Sequence, residues 1–233
     1  MPTRAVHLHS SARRGPRLTL DEVRSAAGQL EQADAADVVA WARSTFGDRL
    51  CVATSFTDTV LVHLATRVDP DLRVVFLDTG FHFAETLATM KQAQARYQLN
   101  LEVVRPEPSA LDVWQAGSEA CCRARKIDGL DRALGGRTAA WLSGLRRADG
   151  PSRADTPVVD LDGRGLVKIN PLARWSDAEV ADYERANDLV TNPLVAQGYP
   201  SVGCWPCTEP ASADNPRAGR WSGTAKTECG LHQ

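Results

Sequence analysis

The sequence predicts a single α/β domain built on a mostly parallel, Rossmann-like sheet. Three observations carry that expectation. Short apolar runs of strand length alternate with segments of helical period. Polar turns follow three of those runs, where open parallel sheets take their ligands. The 233 residues suit one domain with a full core.

Residues 1–18, with Arg4, Arg13, Arg14 and Arg17, read as a flexible basic arm without the apolar stretch of a secretory signal. Residues 19–46 read as two helices. Thr19 caps the first, and Val38, Val39, Trp41, Ala42 and Phe46 give the second its apolar spacing. Gly47-Asp48 turns into the strand Leu50–Thr54. The turn Ser55-Phe56-Thr57-Asp58 leads into a helix over Val60–Val68, a natural anion site because free N–H groups and the helix dipole meet there. It lacks the GxxxxGK[ST] pattern of the common nucleoside-triphosphate loop.

Arg73–Leu77 is the next strand, ending in Asp78-Thr79-Gly80, with a helix over Phe83–Tyr97. Leu101–Val104 and Thr138–Leu142 are further strands, and Gly144–Arg147 is the third polar turn. Ser118–Leu134 has helical character. Pro157–Asp162 and Leu166–Asn170 flank a Gly-containing turn and read as a hairpin. Ser176 and Glu179 form a capping box for a helix ending near Asn187. The α/β domain is taken as 19–200. Residues 201–233 are read as a loop-rich segment wrapped on it.

Hydrophobic residues make up 43% and charged residues 24%, with a net charge of −2. That balance gives no broad field for nucleic acid or an anionic membrane. No apolar run approaches the roughly 20 residues of a membrane helix. The cytoplasm is the expected compartment.

Six cysteines remain to be explained. Cys51, alone in a strand, reads as core. Cys121-Cys122 and Cys204-Trp205-Pro206-Cys207 form two pairs, which suggest one tetrathiolate site. Adjacent residues on a helix point about 100° apart, so converging on one zinc ion is awkward and an iron–sulfur cube is easier. Zinc and redox disulfides stay open on spacing alone. Cys229 is left over in the tail Glu228-Cys229-Gly230-Leu231-His232, near Arg217, Arg220 and Lys226. It reads as a reactive thiol on a mobile arm with cations to favour the thiolate. The alternative is a surface thiol among solvated charges.

Cys121-Cys122-Arg123-Ala124-Arg125-Lys126, Cys204-Trp205-Pro206-Cys207-Thr208 and the Glu-Cys-Gly-Leu-His tail together resemble the assimilatory adenylyl-sulfate reductases. These are a branch of the phosphoadenylyl-sulfate reductase family. Leu77–Gly80 with Glu85-Thr86, Gly144–Arg147 and Pro171–Trp175 also match. The resemblance runs from about residue 35 onward.

The resemblance implies an adenine-nucleotide alpha-hydrolase-like fold. It implies reduction of adenylyl sulfate by thioredoxin, a transient partner, to sulfite and AMP. Cys121, Cys122, Cys204 and Cys207 would hold one [4Fe–4S] cluster, and Cys229 would be the nucleophile. Lys126, Arg146, Arg147, Arg217, Arg220 and His232 would serve the phosphate and sulfate, while Ser55, Thr57, Asp78, Thr79 and Gly80 would line the nucleotide pocket. The first turn departs from its Gly-rich form in many relatives. Three other readings are a reductase of the 3′-phosphorylated substrate, an adenylating enzyme and a non-enzymatic metal-bearing redox module. The second needs a Ser-Gly-Gly-x-Asp-Ser type loop that this chain lacks.

Overall fold

The computed structural model describes residues 18–110, 113–212 and 215–232. Residues 1–17 of the basic arm lie outside them. A six-stranded sheet carries the fold in the order β3-β2-β1-β4-β6-β5. Its strands are β1 (Leu50–Thr54), β2 (Arg73–Leu77), β3 (Asn100–Val104), β4 (Ala140–Ser143), β5 (Val159–Leu161) and β6 (Val167–Ile169). All neighbours pair in parallel except β5 with β6, the expected hairpin.

The helices begin with α1 (Leu20–Leu30), α2 (Ala35–Phe46), α3 (Val60–Val68) and α4 (Ala84–Tyr97). Thr19 and Glu22 close a capping box on α1, satisfying N–H groups that the helix start leaves free. Further along lie α5 (Ser118–Cys122), α6 (Asp128–Leu134), α7 (Asp177–Ala186) and the short α8 (Pro193–Ala196). Ser176 and Glu179 repeat the capping box on α7.

Strand alternation divides the core into two layers. Val52, Val74, Phe76, Ala140, Leu142, Val167 and Ile169 face α1–α4. Cys51, Val75 and Trp141 face the opposite way, against Leu130, Ala133 and Leu134 of α6. Cys51 is fully buried there, and burial pushes its thiol up to about 11, so it is core material. Leu231 of the tail packs on this second layer, which α6 alone leaves partly uncovered.

Three details differ from the sequence reading. The fourth strand is Ala140–Ser143 and not Thr138–Leu142, because Thr138 accepts Arg73 Nη2 at 2.6 Å and Ala139 N–H bonds the Arg49 carbonyl. The helix over Ser118–Leu134 is interrupted by a π turn at Arg123–Ile127. Asn100 joins the third strand.

The three polar turns follow β1, β2 and β4, which are neighbours and parallel, so all three leave the same edge. The first turn has no glycine, yet Phe56 adopts φ +54°. Left-handed backbone costs such a residue about 1–2 kcal/mol. Full burial of the ring, edge-on to Phe76 at 5.4 Å, returns about 1.5–3 kcal/mol. Asn192 Nδ2 holds the Phe56 carbonyl at 3.1 Å.

Candidate active site

The CxxC lies in a tight turn, Trp205–Cys207, opened by Pro206. Trp205 N–H donates to the Phe81 carbonyl at 2.8 Å, which ties this turn to the loop after β2. Thr79 Oγ1 sits 3.2 Å from Cys204 Sγ. Cys121 and Cys122 end α5 and line the same small cleft as Cys204 and Cys207, walled by Phe81, Trp114 and Trp221. Among the described residues no three His, Cys, Asp or Glu side chains close on a single ion. Four sulfurs lining one cleft are a donor set of the kind that holds a zinc ion or an iron–sulfur cluster.

Burial pushes the Cys121, Cys122 and Cys207 thiols up, and neighbouring sulfurs add to the shift. Crowded thiolates therefore need positive charge at the centre. Part of it comes from the π turn. Its i→i+5 closure widens the helix by about one residue per turn. The wider turn carries Arg125 to Cys121 and Lys126 to Cys122, and each cation opposes the rise of that thiol. Arg125 Nη1 donates to the Thr79 carbonyl at 2.7 Å, and its guanidinium lies 4.2 Å over Phe81. Burial acts to lower the Lys126 ammonium, but Cys204, Cys229 and Cys122 outweigh it and raise its pKa.

Arg220 completes the cationic wall. Its guanidinium stacks 4.5 Å over Trp221 and feels Cys229, Cys204 and Cys207. Gly203 makes this possible, since a Cβ there would lie 2.2 Å from Arg220 Nη2.

The tail is docked. Arg153 grips Glu228 with two bonds, at 2.9 and 3.1 Å, and Arg217 adds a third contact at 3.0 Å. Burial acts to raise the Glu228 carboxyl, but these guanidinium groups win and lower it. Burial and Arg153 push Arg217 down to about 10. On the far side of Cys229, His232 stacks on Trp141 at 5.9 Å and 13°, and Lys168 Nζ donates to the His232 carbonyl at 3.4 Å. Cys229 is thus held from both sides in electrostatic contact with Cys122, Lys126 and Arg220. A groove between the tail and Glu119, Ala120, Arg123 and Ile127 leaves it open to solvent.

A phosphoadenosine phosphosulfate reductase domain model matches residues 49–210. The chain belongs to this family. Adenosine 5′-phosphosulfate reductase of Rhodococcus erythropolis is 42% identical, covering 93% of this chain and 97% of its own. The protein of that name in Mycobacterium tuberculosis is also 42% identical, over 88% and 91%. The solved phosphoadenylyl-sulfate reductase of Candida auris, in a phosphate complex, superposes with a TM-score of 0.73 at 26% identity, covering 84% of this chain and all of that one. FMN adenylyltransferase of Candida glabrata, at 15% identity and a TM-score of 0.56, shares the fold.

Within this family framework the sequence candidates separate into three groups. The four paired cysteines, Lys126, Arg220 and Cys229 come together at one centre. Thr79 joins them through its hydroxyl, 3.2 Å from Cys204 Sγ. Gly80 lies beside Arg125 with φ +74°. Ser55 and Thr57 hydroxyls bond each other at 3.1 Å at the carboxyl edge of β1, and Asp78 bonds the Gly80 N–H and lies 3.4 Å from Arg105. Arg146 and Arg147 do not reach the cysteine centre. Arg146 is tied to Asp149 and Asp177 at 3.0 and 2.8 Å. Arg147 forks onto Glu31 of α1 at 2.7 and 3.0 Å.

His232 lies in the docked tail, where burial, with the charges of Lys168, Arg153, Arg217 and Arg164, pushes its pKa well below 6.5. Arg153 was missed in sequence because no motif marks it and its partner Glu228 lies far along the chain; Arg125 stands in the Cys121–Lys126 motif, but its contact with the Thr79 carbonyl is set only by the fold.

The His232 shift gives a pH prediction. A histidine whose docked pKa is depressed takes up a proton on release, so docking is full above pH 6.5 and weakens as pH falls below it. Glu228 acts in the same direction, but only below the ordinary carboxylate range. Hydrogen exchange at the tail amides, corrected for intrinsic rates, should therefore speed up between pH 6.5 and 5. His232→Phe should remove that dependence. An unchanged profile in the variant would contradict it.

Proposed function

We propose that this chain is a thioredoxin-dependent adenylyl-sulfate reductase of sulfate assimilation. Adenylyl sulfate gives sulfite and AMP through an S-sulfocysteine on Cys229. The supporting observation is the convergence of Cys229, Lys126 and Arg220 beside four further sulfurs, in a chain 42% identical to reductases of adenosine 5′-phosphosulfate.

The Cys229 thiolate attacks the sulfate sulfur, and the S–O bond to the phosphate breaks with its electron pair leaving on AMP. Like phosphoryl transfer, this displacement depends on positioning and charge stabilisation. Lys126 and Arg220 offset the repulsion between thiolate and sulfate, and Arg217 takes phosphate oxygens once Glu228 yields it. The first thioredoxin thiolate then attacks Cys229 Sγ, expelling sulfite. Its second thiol resolves the mixed disulfide, so one dithiol supplies both electrons.

Cys121, Cys122, Cys204 and Cys207 would hold one [4Fe–4S] cluster. When bound it would supply positive charge to the crowded thiolates. Ser55, Thr57, Asp78, Thr79 and Gly80 border the nucleotide side in this reading. Arg146 and Arg147 brace the loop after β4. Residues 201–233 act as a segment whose tail alternates between docked and open, in the cytoplasm.

The test is sulfite release from adenylyl sulfate under anaerobic conditions with reduced thioredoxin. Absence of nucleotide-dependent sulfite release would sink the reading. Cys204→Ser should lose most iron and acid-labile sulfide. Colourless wild-type protein with stoichiometric zinc would overturn the cluster.

A further inference from the structure

The strand order reverses between β1 and β4, and ligands of open parallel sheets sit outside the carboxyl ends of the strands at such a point. Ser143 closes β4 there, in register with Ala53 of β1. Asn170 follows β6 by one residue. Because Trp141 pairs with Lys168 and Leu142 with Ile169, Ser143 and Asn170 fall side by side. Leu142, Val167 and Ile169 face the α1–α4 layer, so alternation turns Ser143 and Asn170 to the face of Trp141 and Lys168. The tail lies on that face, with His232 over Trp141.

Both residues are 1% exposed. Ser143 Oγ, Asn170 Oδ1 and His232 Nδ1 are buried without a hydrogen-bond partner among the described residues. Buried polar atoms are nearly always paired, so three on one face at the reversal point call for a ligand. The polarity of Asn170 is fixed. Its Nδ2 donates to the Pro157 carbonyl at 2.8 Å, and its backbone N–H donates to the Val158 carbonyl at 2.8 Å. Flipping the amide would set two oxygens against each other, so Oδ1 is held as an acceptor. A buried, oriented acceptor takes a donor and refuses a phosphate, which brings only acceptors and negative charge.

We propose that Asn170 Oδ1, with Ser143 Oγ beside it, takes the ribose 3′-hydroxyl of the bound nucleotide and so selects adenylyl sulfate over its 3′-phosphorylated form. The inference rests on the nucleotide substrate proposed above. Lys168, Arg153, Arg217 and Arg164 surround His232 on this face and suit the 5′-phosphate. The ribose 3′-hydroxyl is the donor nearest that phosphate in the covalent structure, since C3′ adjoins C4′.

Equilibrium binding to the full chain tests this, with AMP, 2′-deoxy-AMP, 3′-deoxy-AMP and adenosine 3′,5′-bisphosphate as probes. The wild type should bind AMP roughly 10-fold or more tighter than 3′-deoxy-AMP or the bisphosphate. In Asn170→Ala the preference for AMP over 3′-deoxy-AMP should fall to about twofold, the sign of a direct coupling. Ser143→Ala leaves the Pro157 bond intact and should reduce the same preference, which covers a folding failure of the first variant. Equal binding of AMP and 3′-deoxy-AMP to the wild type would overturn the proposal. So would an undiminished penalty in both variants, or a penalty attached to the 2′-hydroxyl. Failure of all four nucleotides to bind the wild type would overturn the nucleotide reading itself.

Discussion

Cys229→Ser should abolish sulfite release, by roughly 10³-fold or more, while AMP affinity stays within about twofold of wild type. The serine hydroxyl is not ionised at neutral pH, and a sulfate on oxygen cannot be passed on by thiol exchange. Both half-reactions therefore fail together. Binding survives because the nucleotide contacts are made by other residues, and Arg153, Leu231 and Trp141 still dock the tail. Intact-mass measurement after incubation with adenylyl sulfate should show a sulfonated wild type and an unmodified variant. Retained turnover would remove Cys229 from the mechanism.

Lys126→Gln should lower kcat by roughly 10²–10³-fold, the scale on which a buried electrostatic contact to developing charge is lost. The ammonium is buried among the sulfurs of Cys204, Cys229 and Cys122, where a charge is screened little by water. Removing it leaves the incoming thiolate facing the sulfate with less positive charge on that wall, where Arg125 and Arg220 stay in place. Lys126→Arg keeps the charge and should recover part of the rate. If Lys126 only fills space, Lys126→Met should match wild-type kcat, and the role assigned to it falls.

The parts of the fold visible in sequence share a physical cause. Strands β1 and β2 are covered on both faces, so each is mostly apolar and stops at a polar turn, Ser55–Asp58 or Asp78–Gly80. The Thr19 cap and the Ser176–Glu179 capping box were legible because they are local and made by side chains within four residues. The π turn was not legible, because a change of helical register leaves composition and period almost untouched over five residues.

The candidate site divides along the same line. The cysteine pairs and the Glu-Cys-Gly-Leu-His tail could be singled out because rare residue types recur at short spacing. The family resemblance implied that Arg146 and Arg147 serve the oxyanions. Their destinations depend on Asp177 and Glu31, which lie far away in the chain.

The sequence by itself determined the α/β class, the order of strands and helices, the two cysteine pairs and the odd thiol. Only the tertiary structure decided which charges meet that thiol and in what state. It spent Arg147 on Glu31, brought Arg153 to Glu228 and, through burial and the nearby charges of Lys168 and Arg153, pushed the His232 pKa well down. Hydrophobic period and turn chemistry act over a few residues and are written in order. Charge pairing and desolvation act through space, and the chain reveals them only once it has folded.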